Sequence, residues 1–535
     1  MLKSDSTPAR KTPGAPDGNH PAKENKRAHV VAGFLRQIEP AGPEAEPGIR
    51  DAVSDRTPET KPDLQPAEPG SNAHPAGEIE LKLLVDADRM AHFSAAPVIT
   101  ANARNKGTRK HLKSVYYDTP ERALRRAGLS LRVRQSGSRF VQTVKTEVAD
   151  DPLRRGEWEA SVPSLAPDLA LAMPFVPEKL RGHLDAQPLE ALFTADVHRH
   201  TRIIDLPSGT VEVAFDQGEL TAGDRSVPVS EIELELKSGS PSAIYEIALR
   251  LAEHGTVKPS IRSKSARGFD LAADQPPSAR RPRKLRLDPS VTLDEAFATI
   301  LRACFLHLLQ SLPAAEDGRN PEGVHQLRVS LRRLRSALDL MRSVGALSHL
   351  DALRSEAKWL AQSLSAARFL IGLGGWIETR GWRNGVAPQD LGRLAEPAVD
   401  FARRVLAEQY AKVLKRGRRF KSLTVDELHR VRLATKRLRY LSEFLLPLYE
   451  DRKSARKFAR RLAGLQEELG VFNDMAVTAS LLDGLGADDR DSTIAAAAIA
   501  GWQARASIGA QPTLQDSWRD FTAARVPWSR QGEQG

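Results

Sequence analysis

The 535-residue chain is too long for one hydrophobic core, so the sequence predicts two or three domains. Its single cysteine, Cys304, excludes a disulfide framework and thiolate metal clusters, and it indicates a reducing cytoplasm. The net charge of +11 is concentrated in residues 273–535, which hold 42 Lys and Arg against 30 Asp and Glu. We therefore expect a polyanionic partner for this half, which could be nucleic acid, a membrane surface or polyphosphate.

The domain organisation follows from shifts in composition along the chain. Residues 1–75 hold 12 of the 35 prolines and few large apolar groups, which predicts a disordered segment. Residues 76–272 alternate like strands, residues 273–287 form a basic linker, and residues 288–527 have helical periodicity. The chain begins without an apolar signal core, and no apolar run approaches the length of a membrane span. We expect a cytoplasmic protein without a membrane partner.

Charged and apolar residues alternate with period two at Glu78-Ile-Glu80-Leu-Lys82-Leu. A single strand of this kind would simply have one wet face. The same alternation returns at residues 131–134, 143–145, 157–159, 211–216 and 231–237. Six strands with one face charged in both signs predict a barrel whose lumen is polar.

The charges of this lumen suit one class of ligand. The candidate bases are Lys82, Arg132, Arg134, Lys145, Arg155, Arg199, Lys237, Lys264 and Arg267. The candidate acids are Glu78, Glu80, Glu157, Glu159, Glu212, Asp216, Glu231, Glu233 and Glu235. Inward Arg and Lys match phosphate oxygens, and carboxylates without His or Cys neighbours match a hard divalent cation. We expect a metal-bound oligophosphate; the competing interpretation is a network of internal salt bridges without a ligand, which would be costly to bury.

The same residues carry a resemblance to a known family. Glu78-x-Glu80-x-Lys82 resembles the ExExK signature of the CYTH family, the triphosphate tunnel metalloenzymes. Later elements follow in the family's order at residues 114–120, 128–134, 143–145, 155–157, 199, 216, 231–235 and 263–267. The resemblance implies an α+β multidomain chain that begins with an antiparallel eight-stranded β-tunnel, with substrate and metal inside.

The resemblance also implies roles for individual residues. The metal, Mg²⁺ or Mn²⁺, would be held by Glu78, Glu80, Asp216, Glu231 and Glu233, with Glu235 as a further candidate. The triphosphate would be held by Lys82, Arg132, Arg134, Lys145, Arg155, Arg199 and Lys264. The catalytic groups would be Glu78, Glu80, Lys82 and Glu233.

The family contains triphosphate hydrolases, thiamine triphosphatases and class IV adenylate cyclases, so the resemblance implies action on a triphosphate. A cyclase would need a surface for adenine, and we interpret the nearby aromatic residues as packing: Tyr116, Tyr117, Phe140 and Trp158. We therefore expect hydrolysis of inorganic triphosphate to diphosphate and phosphate. Cyclase or thiamine triphosphatase activity, or polyphosphate binding without turnover, is the alternative. The general base stays open among Glu157, Glu159 and Glu212.

One segment departs from the family's pattern. Asp196 and His198 stand before Arg199 at positions where relatives often carry Thr and further basic residues. We expect Asp196 to alter the rim of the tunnel.

The helical half contains an internal repeat. On a helix, His325, Arg328, Arg332 and Arg335 form one stripe about 80° wide. The stripe returns 104 residues later as His429, Arg432, Lys436 and Arg439, which predicts two related halves. A solvated basic face is one interpretation. Anion binding is favoured because the stripe lacks the acidic i,i+4 partners that usually accompany surface charges.

The repeated helix, together with residues 465–475, resembles the CHAD domain, an all-α helical bundle of two similar four-helix halves. The resemblance implies that the eight residues of the two stripes line a channel for inorganic polyphosphate, and that the protein associates with polyphosphate granules. Nucleic acid is a less suitable partner because no aromatic stacking platform accompanies the stripes.

Overall fold

The computed structural model describes residues 79–147, 155–344, 367–386, 390–485 and 511–529, and the single positions 498 and 501. The segment predicted to be disordered, residues 1–75, lies outside the described residues, as does Glu78. An antiparallel sheet comes first and helices follow, which confirms the predicted fold class. The sheet has nine strands rather than the expected eight.

The strand order brings the N-terminal strand into contact with strands from the far end of the domain. The strands are β1 (Glu80–Val85), β2 (Thr108–Asp118), β3 (Leu129–Ser136), β4 (Arg139–Glu147), β5 (Arg155–Val162), β6 (Glu190–Leu206), β7 (Gly209–Ala222), β8 (Arg225–Gly239) and β9 (Val257–Ser260). Their order across the sheet is β5-β4-β3-β2-β6-β7-β8-β1-β9. β1, which begins within the ExExK motif, therefore lies between β8 and β9.

The register gathers the predicted lumen residues on one face of the sheet. Lys82 lies opposite Glu233 in the ladder between β1 and β8. Asp216 lies opposite Glu231 on one side and opposite Arg199 on the other. Because directly opposed residues project from the same face of an antiparallel pair, these five side chains share one surface.

The sheet curls so that this surface faces itself. Three strands separate β3 from β8, which would place them about 19 Å apart in a flat sheet. Yet the charge of Glu233 on β8 acts on the pKa of Arg134 on β3. The charged faces therefore meet across a lumen, although no ladder joins β5 to β9 within the described residues.

Helices cover the sheet on both sides. They are α1 (Met90–Ser94), α2 (Pro97–Thr100), α3 (Ala123–Arg126), α4 (Leu169–Ala172), α5 (Glu178–Ala186), α6 (Ser242–His254) and α7 (Lys264–Ala272). α6 packs on the outer face, in a core with Leu83, Ile232 and Leu234. α7 closes one end of the inner face, where Phe269 packs edge-on against Phe193. Residues 258–267 contain the end of β9, a short connection and the first turn of α7.

The helical half contains the predicted repeat. Its helices are α8 (Leu293–Asp317), α9 (Pro321–Met341), α10 (Ala367–Glu378), α11 (Leu391–Leu394), α12 (Ala398–Arg416), α13 (Val425–Leu445), α14 (Arg452–Leu485) and α15 (residues 511–522). α9 and α13 are both 21 residues long and begin at equivalent positions of the repeat. Their N-caps are also equivalent: the side chains of Asn320 and Thr424 each accept a backbone N–H of the first turn.

α10 joins the two halves of the molecule. Its Ile371 is buried in the core that α6 forms with the sheet. Gly374 and Gly375 face Tyr245 of α6 so closely that a Cβ at either position would lie 2.8 or 3.0 Å from a Tyr245 atom. The absence of side chains at these two positions thus permits the close approach of α10 to α6.

One described helix, α8, is long and apolar enough to cross a bilayer by length and composition, a test that the core helix of a soluble protein also passes. Most of its apolar stretch is buried within the protein, where Leu301, Cys304 and Leu308 contribute to the helical core.

Candidate functional site

Three carboxylates meet at the acidic wall of the lumen. Asp216 on β7 and Glu231 and Glu233 on β8 each offer an oxygen, and these oxygens lie within 4.8 Å of one another. Asp216 and Glu231 are completely buried. We call these three residues the acidic triad.

Cations from three other elements surround the triad. Lys264, the first residue of α7, contacts all three carboxylates, at 2.6 Å from Asp216 and 3.0 Å from Glu233. Arg199 on β6 donates from Nε and Nη2 to the two oxygens of Asp216, at 2.7 and 2.6 Å, and from Nη2 to Glu233. Lys82 on β1 donates to Glu233 and to Glu80.

The surrounding cations determine the protonation of the triad. Burial alone would raise the pKa of Glu233, but the charges of Lys264, Lys82 and Arg199 outweigh it and hold that pKa well below its usual range. Burial would lower the pKa of Lys264, yet the triad raises it above its usual value. Glu233 and Lys264 are therefore both ionised at neutral pH, as a metal ligand and a phosphate-binding cation must be.

The opposite wall of the lumen is basic. Arg132 and Arg134 on β3 alternate with apolar residues, and Lys145 lies on the neighbouring β4. The register puts Ser130 opposite Lys145, so all three cations project from one face. Arg132 is 3.9 Å from Glu159, which is itself half exposed.

Arg134 is partly buried and has no carboxylate within ion-pair distance among the described residues. Its Nε donates to the hydroxyl of Ser114 at 3.0 Å. Burial and the neighbouring Arg132 lower the pKa of Arg134 to about 10. A buried cation beside another cation is unfavourable in the free protein and would be relieved by a bound anion.

Three further predicted site residues are not part of the acidic triad. Glu80 connects to the triad only through Lys82, which it shares with Glu233. Glu235 lies one step along β8, opposite Glu80, and pairs instead with Lys237 at 2.5 Å. Arg155 begins β5, and its side chain lies outside the described part of the chain.

Two lumen residues make contacts in the site that the sequence analysis did not assign to them. Arg267 of α7 donates to Glu231 at 2.9 Å and to the carbonyl of Pro228 at 2.6 Å. Tyr116, which we interpreted as packing, does stack on Phe193 at 4.4 Å, but it also lies opposite Arg132. Burial would raise the pKa of the Tyr116 phenol, and the charges of Arg132 and Arg134 lower it instead.

The expectation for Asp196 is wrong. Asp196 and His198 alternate with Arg199 in the opposite phase of β6, so they project from the outer face of the sheet when Arg199 projects inward. Asp196 contacts His111 on the outer surface and does not alter the lumen. The alternation of side chains along β6, which the sequence analysis did not apply to this segment, decides the placement.

The donor set of the lumen fits a divalent cation together with an oligophosphate. Three carboxylate oxygens close together are hard ligands of the kind that Mg²⁺ and Mn²⁺ prefer. The basic wall faces them across the lumen and offers guanidinium and ammonium donors.

The two basic stripes of the helical half converge. α9 and α13 pack together, and the pKa of Lys436 on α13 is lowered by burial and then by Arg332, Arg432 and Arg335. Arg332, Arg335, Arg432, Lys436 and Arg439 form no ion pair with any residue that the structure describes. The Nε atoms of Arg332 and Arg335 are buried without a hydrogen-bond partner among those residues. His325, Arg328 and His429 lie at the exposed ends of the stripes.

Comparison with known proteins gives two family matches. The model of the CYTH domain matches residues 76–269, and the model of the CHAD domain matches residues 299–371 and 372–483. An inorganic triphosphatase of Haemophilus influenzae is 32% identical over 171 residues, which are 31% of this chain and 47% of that protein. An uncharacterised protein of Mycobacterium tuberculosis is 25% identical over 327 residues, which are 55% of this chain and 58% of the relative. The chain thus spans about half the length of these curated relatives.

Among solved structures, the CHAD domain from the plant Ricinus communis is 30% identical, with a TM-score of 0.35, and the match covers 47% of this chain and 98% of that one. The family matches fall on the two halves that the fold separates, the sheet and the helical repeat. The chain therefore belongs to the CYTH and CHAD families, with a CYTH domain at residues 76–269 followed by a CHAD domain at residues 299–483.

Proposed function

We propose that the CYTH domain hydrolyses inorganic triphosphate to diphosphate and phosphate with the help of Mg²⁺ or Mn²⁺. The observation that carries the proposal is the acidic triad facing the basic wall inside one lumen. The similarity of the CYTH region to a Haemophilus inorganic triphosphatase supports the choice of substrate.

The residues of the lumen divide the work between two walls. Arg132, Arg134 and Lys145 would bind the phosphate oxygens and neutralise the charge that develops on the transferred phosphoryl group. The triad, with Glu80 beside it, would hold the divalent ion, which when bound neutralises further charge on the phosphates. Lys82, Lys264 and Arg199 hold the triad carboxylates in place through ion pairs before any ligand binds.

Glu80 is the best position for a test because its removal leaves the buried network intact. Among the described residues, Glu80 forms an ion pair with Lys82 alone and is partly exposed, whereas Glu233 neutralises three cations. We expect purified protein to release phosphate from triphosphate only with Mg²⁺ or Mn²⁺, and Glu80→Gln to lower kcat/KM by at least about 100-fold, as for lost electrostatic groups elsewhere. Glu219→Gln, an exposed carboxylate on β7, serves as the matched control and should keep full activity.

A substrate panel separates this proposal from its alternatives. Preference for thiamine triphosphate, or formation of cyclic AMP from ATP, would replace inorganic triphosphate as the substrate. Tight binding of triphosphate without metal-dependent phosphate release would show a binding protein and contradict the enzymatic proposal.

We further propose that the CHAD domain binds inorganic polyphosphate along the converging stripes and keeps the protein at cytoplasmic polyphosphate granules. The supporting observation is the set of cations on α9 and α13 that lack carboxylate partners among the described residues. Charges of one sign brought together in this way repel unless a polyanion neutralises them.

Arg332→Gln together with Arg432→Gln should weaken binding of long-chain polyphosphate by more than about 100-fold, since each of the two lost charged hydrogen bonds is worth about 1.5–3 kcal/mol. Fluorescence anisotropy with labelled polyphosphate at rising salt would measure the loss. Arg437→Gln, an exposed arginine of α13 outside the stripe, is the control. Stronger retention of single-stranded RNA than of polyphosphate would contradict the proposal.

A further inference from the structure

A cluster of imidazole and carboxylate groups lies on the outer face of the tunnel sheet. His111 on β2 lies directly opposite His198 on β6, and Asp196 comes two residues before His198. Alternate residues of a strand share a face, so all three project away from the lumen that Arg199 faces. The tunnel chemistry proposed above uses none of them.

The three side chains already lie close together. Nε2 of His111 is 2.5 Å from Oδ1 of Asp196. The rings of His111 and His198 stack with their centroids 4.5 Å apart and their planes inclined by 11°. A ring nitrogen of each histidine and an oxygen of Asp196 lie within 4.8 Å of one another.

A hydrogen bond between His111 and Asp196 explains only part of this arrangement. His198 stacks on His111, yet its ring nitrogens have no hydrogen-bond partner among the residues that the structure describes. His200, the next residue of β6 on the same face, is engaged elsewhere, with Nε2 3.1 Å from the carbonyl oxygen of Lys106. Two imidazoles and a carboxylate thus converge without another common partner.

We propose that His111, Asp196 and His198 bind a zinc ion. Two imidazoles and one carboxylate are borderline ligands that suit Zn²⁺ better than Mg²⁺, which prefers oxygen donors alone. Ligands of a tetrahedral zinc ion lie about 3.4 Å apart, given bonds of about 2.0–2.1 Å, so small rotations of these exposed side chains bring them to bonding distance. Water completes the coordination from the adjoining cavity of about 350 Å³, whose lining includes Ser94 and Arg109.

The ion would fasten two neighbouring strands of the tunnel. β2 supplies His111 and β6 supplies the other two ligands, so one ion would link the strands across their ladder. Lys110 directly precedes His111, Arg199 directly follows His198, and both face inward. The outer ion would therefore stabilise the wall of the lumen. This role does not depend on the reaction proposed for the tunnel.

The test is Zn²⁺ binding to the full chain by isothermal titration calorimetry in the presence of excess Mg²⁺. Excess Mg²⁺ occupies oxygen-only sites such as the triad and leaves imidazole sites open. We expect one Zn²⁺ per chain, with affinity lowered at least about ten-fold in His111→Ala and in His198→Ala, because even groups behind the ligands change metal affinity by about 10- to 100-fold. Asp196→Asn, which keeps the side-chain shape, should also weaken binding.

His200→Ala is the matched control, since it removes a histidine of the same strand and face that is not a proposed ligand. Its Zn²⁺ affinity should equal that of the unaltered chain, and X-ray absorption of the zinc complex should show two imidazole ligands. Zinc affinity that is unchanged in His111→Ala and His198→Ala, or equally weakened in His200→Ala, would overturn the proposal. Circular dichroism of each variant confirms that the fold is retained.

Discussion

Arg134 is the residue whose surroundings separate a ligand-binding tunnel from a purely structural network of salt bridges. The acidic wall is balanced in the free protein, because Lys82, Lys264 and Arg199 neutralise its carboxylates. The basic wall is not balanced at Arg134, which has Ser114 and not a carboxylate as its hydrogen-bond partner. Its pKa, lowered to about 10 by burial and by Arg132, records this cost.

We expect Arg134→Met to stabilise the fold and to weaken catalysis. Removal of a partly buried cation without a carboxylate partner should raise the free energy of unfolding by about 1 kcal/mol, measured in urea. Loss of a charged contact to phosphate should lower kcat/KM for triphosphate by roughly 10- to 100-fold.

The pKa of about 10 also has a consequence in the unaltered enzyme: Arg134 is charged below that pH, so KM should rise as the pH passes through 10.

Arg250→Met removes an exposed arginine from α6, where it pairs with Glu246, and should change neither stability nor activity measurably. A loss of stability in Arg134→Met of the size seen for broken ion pairs would show that this arginine has a structural role, and it would argue against a prepared phosphate site.

At this scale the sequence predicted which residue types line the lumen, but not which of them meet. Alternation by two identifies the charged face of a strand and thereby Lys82, Arg134 and Glu233. Convergence depends on register between distant strands, which no local pattern contains. For that reason Asp216 joins Glu231 in the triad, whereas Glu235, equally plausible by spacing, pairs with Lys237.

α7 completes the site by contributing both charged and apolar contacts. Lys264 and Arg267 contact the triad from its first turn, and Phe269 covers the apolar end of the lumen. Gly268 lies against Phe193, where an added Cβ would be only 2.0 Å from a ring carbon. The position of α7, and hence of Lys264, depends on this close contact.

Gly268→Ala should therefore displace α7 and lower stability by about 1–3 kcal/mol, the usual cost of overpacking a core. Because Lys264 would move with the helix, kcat/KM for triphosphate should fall as well. Thermal unfolding and phosphate-release assays would measure the two effects.

Gly464→Ala in α14 provides the opposite case with the same chemical change. Open space surrounds the position of its Cβ, so only helix propensity acts, and stability should rise by about 0.5–1 kcal/mol. Equal effects of the two substitutions would show that α7 is not packed as tightly as the structure indicates.

The existence of α7 was missed because the helix is only nine residues long and its first turn is polar and basic, as in a loop. α9 and α13 were predictable because each carries both an apolar stripe and a repeated set of charges.

The two halves of the molecule share a core. Ile371 of the CHAD domain is buried with residues of α6, and Tyr245 of α6 packs against Gly374 and Gly375 of α10. The basic segment between the domains is also attached, because Nε2 of His307 lies 3.0 Å from the carbonyl oxygen of Arg280. Burial and the charge of Arg333 lower the pKa of His307 to about 4, so this contact is made by a neutral imidazole at physiological pH.

Sequence reasoning separated the domains but could not predict this contact between them. The change from period two to helical periodicity and the 104-residue repeat define the two halves. The role of Gly374 and Gly375 becomes clear only when their contact with the ring of Tyr245 is known. Tyr245 lies about 130 residues earlier in the chain, so no local pattern reveals the contact.

The burial of Ile371 beneath α6 has a consequence for how a long phosphate chain would meet the enzyme. A catalytic domain on a flexible linker samples many orientations, and the effective concentration of a substrate held by the other domain falls as the linker lengthens. Here the surface proposed to bind polyphosphate and the lumen belong to halves that share a buried core, so a polymer bound along α9 and α13 would be held at a fixed distance from the lumen.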